Sequence, residues 1–134
     1  MNNIINPDIM SFSQETIDFV WNKARTVDGY DPKLFRKDAC GAWIIRDKYG
    51  VQDNIFGCEI DHIVPKTLLK IQNFSDEKMD SELNLRALQH QNNASKGDDY
   101  PSYTSMVTSE GSKNIIKERV LTVNKVQKSF MDTV

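Results

Sequence analysis

A chain of 134 residues with 39% hydrophobic and 27% charged content has the make-up of one globular domain around a single core. Seventeen Lys and Arg against 19 Asp and Glu leave a net charge of −2, which excludes a uniformly basic surface that would coat duplex nucleic acid by charge alone. No apolar run approaches the roughly 18–20 residues of a membrane span.

In chain order, Met1-Asn2-Asn3-Ile4 lacks the basic and apolar regions of a signal peptide. Residues 1–10 show no period and read as a loose arm. Ser11 and Gln14 fit a capping box, and Ile17, Val20, Trp21 and Ala24 then recur at helical spacing until Asp28-Gly29 stops the helix. Asp31-Pro32 opens a second helical turn through Phe35. Gly41 to Arg46 is β-prone, Asp47 to Gly50 is a turn, and Ile55 to Ile63 is a strand expected to run antiparallel to the first. Lys66 to Ile71 and Ser75 to Met79 each suit one helical turn, within a long connection of the kind common at functional sites. Leu85 to Leu88 is a short apolar run followed by a polar segment suited to a brief helix.

Beyond Tyr100-Pro101, Tyr103 to Thr108 and Lys117 to Val123 are β-branched around Glu110-Gly111 and read as a hairpin, although Ile116, Val120 and Val123 also fit a helix. Asn124, with Gln127 three residues on, would cap a last helix holding Val126 and Phe130. The expected core gathers Trp21, Trp43, Ile45, Ile60, Leu85 and Leu88. Two cysteines without framework spacing point to free thiols packed as small hydrophobes in a reducing, cytoplasmic setting; a Cys40–Cys58 disulfide is the lesser alternative.

Two stretches concentrate the chemistry: Glu59 to Lys66, and Asn84 to Gly97. In the first, Asp61 and His62 are neighbours on a strand, so their side chains point to opposite faces, and Pro65 ends the ladder. In the second, Asn92 or Asn93 lies three or four residues before Lys96, so one helical face presents an amide and a cation together. A carboxylate, an imidazole, an amide oxygen and a Lys suit a hard divalent cation beside a phosphodiester. Arg36, Lys37, Lys66, Lys70, Arg86 and Lys96 cluster around these stretches, whereas Asp8, Glu15, Asp18, Asp28 and Asp31 load the N-terminal part with acid. That balance argues for modest affinity for a nucleic acid.

Asp61-His62, then Asn84-Leu85, then Asn92-Asn93-x-x-Lys96-Gly97 resembles the signature of the HNH endonucleases, and Arg36 to Ile44 with Tyr49-Gly50 resembles small stand-alone members. The matching parts run from about Trp21 to Pro101, with the motif core at 36–101. The resemblance implies an α+β fold over 1–134: a ββα-metal core with an N-terminal helix and a C-terminal hairpin and helix extension. It implies a metal-dependent endonuclease acting on DNA and leaving a 5′-phosphate and a 3′-hydroxyl. His62 would be the general base for water, an imidazole being partly neutral near physiological pH with its ordinary pKa of about 6.5. Asp61 and Asn93 would hold Mg²⁺ or Mn²⁺, Asn84 would brace the loop behind His62, and Lys96 would stand by the phosphate or the leaving oxygen. Arg36, Lys37, Lys66 and Arg86 would contact nucleic acid.

Two departures matter. The family's zinc-binding Cys pairs are replaced by Cys40 with Trp43 and by Gln89 with Asn92, so no structural zinc is expected. Asn93 stands where many members have His, which favours an oxygen-ligated metal. His90 is a candidate extra ligand, and Asn92 the alternative to Asn93. The rival readings are a non-catalytic nucleic-acid-binding or regulatory module on the same scaffold, and a toxin-type nuclease with an inhibitory partner.

Overall fold

The computed structural model describes residues 12–123, starting just ahead of helix α1 (Gln14–Lys23). Its N-cap is Ser13, whose hydroxyl accepts the Thr16 N–H, so the helix starts later than a Ser11 cap would place it; Ser11 lies outside the described residues. Val20 and Trp21 form the buried stripe, and the Trp21 indole N–H donates to the Pro32 carbonyl, fixing the loop beyond the helix. At Asp31-Pro32 the chain makes a turn, not a helix: the N–H groups of Leu34 and Phe35 both return to the Asp31 carbonyl, and Phe35 then enters strand β1 (Phe35–Lys37).

β1 pairs antiparallel with β2 (Trp43–Ile45), Phe35 opposite Ile45 and Lys37 opposite Trp43. The strand expected next is shorter, β3 (Cys58–His62), because Asn54 turns the preceding residues: its side chain and carbonyl accept the N–H groups of Phe56 and Gly57. The pairing expected between this strand and the first is also corrected. β3 pairs antiparallel with β4 (Leu85–Gln89), placing Cys58 opposite Gln89, Asp61 opposite Arg86 and His62 opposite Leu85. Gly57 lies so close to the Val51 carbonyl that a Cβ would meet it at 1.8 Å, and that contact fixes the approach to β3.

Between β3 and β4 lie the short helices α2 (Lys66–Ile71) and α3 (Asp76–Met79), the latter capped by Ser75 as expected. β4 runs directly into α4 (His90–Lys96), where the Gln89 side-chain oxygen accepts the N–H groups of Gln91 and Asn92. The C-terminal part is a hairpin of β5 (Ser102–Glu110) and β6 (Lys113–Thr122), which decides between strand and helix for Ile116 and Val120. The helix expected after Asn124 falls outside the described residues.

The result is α+β: helices around three two-stranded antiparallel sheets. Four apolar clusters join them, including Trp21 with Ile44 and Cys58, Val20 with Ile60 and Leu85, and Leu88 with Ile63 and Tyr103. The expected core residues are buried except Ile45, which is half-buried. Asn114 docks the hairpin on β2 by accepting the Trp43 N–H and donating to the Trp43 carbonyl. No helix among the described residues is long and apolar enough to cross a membrane.

Candidate functional site

The alternation of β3 sends Glu59 and Asp61 toward α4, and Ile60 and His62 toward α1. Asp61 is 4% exposed, a position where a carboxylate must be compensated. Arg86, its cross-strand partner, donates from Nε to Oδ2 at 2.9 Å, and the Lys96 ammonium lies 3.2 Å from Oδ1. Burial alone would lower the pKa of Arg86, but the charge and hydrogen bond of Asp61, together with Tyr103, outweigh it and the net shift is upward. Burial pushes the pKa of Lys96 down, and Asp61 opposes the shift.

Lys96 therefore differs from the expected cation at the phosphate. Its side chain has no solvent exposure, and Nζ also donates to the His62 carbonyl at 3.1 Å. The physical reason is its place on the inner face of α4, opposite the one carboxylate that needs it.

Asn93, one turn earlier, donates from Nδ2 to Glu59 Oε1 at 2.8 Å. Its Oδ1 takes no hydrogen bond among the described residues, so the anchored amide keeps its acceptor available. Asn92 is spent elsewhere: Oδ1 accepts the N–H groups of Met106 and Val107, while Nδ2 donates to Asp38 and to the Val107 carbonyl. His90 donates from Nε2 to the Asn54 carbonyl and so fastens the loop before β3.

His62 lies at the end of β3 with its side chain 18% exposed. Nε2 is 2.7 Å from Asp80 Oδ1. An ionised carboxylate only accepts, so Nε2 bears the proton and Nδ1 is left as the basic atom of the neutral ring. Behind the ring, Asn84 is fully buried. Its Oδ1 accepts the Val64 N–H at 2.8 Å, and its Nδ2 donates to the carbonyls of Val64 and Met79, each at 3.1 Å. Its own carbonyl accepts the Ile63 N–H. One side chain thus fixes the backbone that leaves His62.

Of the cations expected at nucleic acid, Lys66 is exposed, and Lys37 is half-buried with its ammonium over the Trp43 ring. Arg86 is buried against Asp61. Arg36 turns inward and donates to the carbonyls of Pro32, Asn22 and Ala24, so its guanidinium joins α1 to β1.

Three acids escaped the motif reading. Glu59 carried a signal, since two residues before Asp61 on a strand means the same face. Asp38 carried a weaker one: its side chain caps the Cys40 N–H two residues on, and it also accepts from Ala42 N–H, Gln89 N–H and Asn92 Nδ2. Asp80 carried none, because its meeting with His62 depends on the fold of the α2–α3 connection.

Among the described residues no three His, Cys, Asp or Glu side chains gather closely enough to bind an ion by themselves. The candidate ligand atoms at Asp61 and Asn93 are oxygens, the kind a hard cation takes. Both Asp61 oxygens face Arg86 and Lys96, however, and Asn93 Oδ1 is the one without a partner among the described residues. No family model, no curated protein and no solved structure matches the chain.

Proposed function

We propose that the chain is a divalent-metal-dependent endonuclease of the HNH type that hydrolyses phosphodiester bonds in DNA, with β3, β4 and α4 as its ββα-metal core. The observation that carries this reading is Asn84. Every polar atom of its buried side chain is spent on the backbone around His62, the bracing role the family resemblance implies for this position. A capping asparagine would bond its own turn; this one reaches twenty residues back to Val64.

On this reading His62 Nδ1 takes the proton of the attacking water, and Asp80 holds the ring by its Nε2–H. Asp61 and Asn93 would hold Mg²⁺ or Mn²⁺, the Asn93 oxygen being free to do so and the Asp61 carboxylate having to share its two oxygens with Arg86 and Lys96. When bound, such an ion supplies charge stabilisation at the phosphoryl oxygens and the leaving oxygen.

Plasmid digestion with and without EDTA, using wild type and His62→Ala, tests the reading. Wild type should cut with Mg²⁺ or Mn²⁺ and stop with EDTA, while its thermal midpoint stays nearly constant because this reading includes no structural metal. His62→Ala should lose a factor on the order of 10²–10⁴ in rate with unchanged DNA affinity. Equal cutting by His62→Ala would sink the proposal.

A further inference from the structure

The edge of β4 turned away from β3 borders a cavity of about 320 Å³ between α1, β1 and the residues following β1, at the lower end of the size range of ligand pockets. Its lining includes Lys23, Arg25, Lys37, Arg86 and Asp38. Arg25 and Lys37 form an antiparallel bridge, the Arg25 N–H donating to the Lys37 carbonyl at 3.2 Å and the Lys37 N–H to the Arg25 carbonyl at 2.9 Å. Directly opposed residues of this kind project side chains to one side about 5 Å apart, and like charges there repel each other.

Lys23 brings a third cation. Its ammonium donates to the carbonyls of Glu82 and Leu85 and lies 5.5 Å from the centre of the Phe19 ring, so two of its three N–H groups are taken by hydrogen bonds. Arg86 adds charge from behind the wall, its Nη2 buried without a hydrogen-bond partner among the described residues. The lining carboxylate, Asp38, already accepts four N–H groups. Glu82 is the other acid whose charge reaches Lys23. Among the described residues no carboxylate stands within ion-pair distance of Lys23, Arg25 or Lys37, whose counterparts at Arg46, Arg86 and Lys96 all have one.

We propose that this cavity binds a phosphate group. Its bearer is a backbone phosphate of bound DNA flanking the bond cut at His62, an identity that rests on the nuclease reading. Leu85, whose carbonyl Lys23 holds, is the cross-strand partner of His62, so the cavity lies one strand from the catalytic imidazole. Opposed like charges beside a saturated carboxylate call for a compact, multiply charged anion, and phosphate supplies both the charge and several acceptors.

The test compares wild type, Arg25→Gln/Lys37→Gln and Lys117→Gln, a charge change on the exposed surface of β6. Thermal midpoints are read with inorganic phosphate against chloride at equal ionic strength. Duplex binding is read by anisotropy in EDTA across a salt series. Phosphate should raise the midpoint of wild type and Lys117→Gln but not of the double variant. The double variant should lose about tenfold in duplex affinity and about one to two in salt slope, and Lys117→Gln should lose neither.

A phosphate response absent from wild type, with duplex binding unaltered in the double variant, overturns the site. A response to phosphate with no change in duplex binding overturns DNA as the bearer and leaves a site for a free phosphate group. If wild type cuts no DNA yet keeps the phosphate response, the nuclease reading falls and the anion site stands.

Discussion

On the side of the β3–β4 pair that faces α4, Glu59 and Asp61 meet Asn93, Arg86 and Lys96, and each charge has a counter-charge or a hydrogen bond. At the outer edge of β4, Lys23, Arg25 and Lys37 face a cavity whose lining carboxylate is already satisfied. The two regions share Arg86. The difference follows from solvent: a buried ion cannot persist without compensation, whereas Lys23 and Arg25 are exposed and the half-buried Lys37 rests on the Trp43 ring, so these cations need no carboxylate. The inner charges are therefore matched by folding, with the Asn93 oxygen alone left over for a metal on the nuclease reading, and the outer cations are left open to an anion.

The largest expected effect breaks the inner group. Lys96→Met strips Asp61 of one partner and should lower unfolding free energy in urea by about 3–5 kcal/mol. Adding Asp61→Asn should recover part of that loss, because the double variant no longer buries an under-compensated carboxylate. Arg25→Gln/Lys37→Gln should cost no more than about 1 kcal/mol, since it relieves a repulsion while giving up the Lys37 ammonium's place over the Trp43 ring and the long Arg25 bond to the Asp38 carbonyl. A Lys96→Met loss no larger than that of the outer double variant would erase the contrast.

Why the inner group was half legible is a matter of range. Strand period places Glu59 with Asp61 and helical period places Asn93 with Lys96, so both faces can be drawn from local spacing. What spacing cannot give is the partner strand. Ile55 to Ile63 read as one strand pairing with 41–46, and Asn54 cuts it short while β4 takes its edge. Once β4 is the neighbour, Arg86 falls opposite Asp61 and becomes a buried counter-ion. The same limit applies to Arg36, whose inward turn depends on α1 carbonyls more than ten residues away. Asp80 and the Arg25–Lys37 bridge are likewise products of tertiary closure, with no pattern in their flanking residues.

A smaller effect sharpens the site at His62. Asp80 is 46% exposed at its side chain, so Asp80→Asn should leave the thermal midpoint unchanged. Its amide can donate to Nε2, which moves the ring proton to Nδ1 and, on the nuclease reading, removes the base. Cutting should slow about tenfold, the order typical of a partner that orients a histidine, while DNA affinity holds. Unchanged cutting across the pH range would show that the contact does not orient the base.

The smallest expected effect is an absence of reaction at the two free thiols, both buried and unpaired. Burial, with Asp38 adding to it at Cys40, raises the pKa of each to about 12, against 9.0 for a free thiol. A folded value above the unfolded one means this contribution to stability is full below about pH 9 and is lost as the pH climbs toward about 12. Tyr103, raised by burial to about 12, acts in the same direction. At pH 8 an aromatic disulfide reagent should therefore leave the native chain untouched and titrate two thiols once urea unfolds it. The result bears on the two charged regions because Cys40 follows Asp38, whose carboxylate ties β1 to the junction of β4 and α4. Rapid native labelling of Cys40 would mean that this tie opens readily. The inner and outer groups would then exchange with a common solvent, and the distinction between locked and open charge would fail.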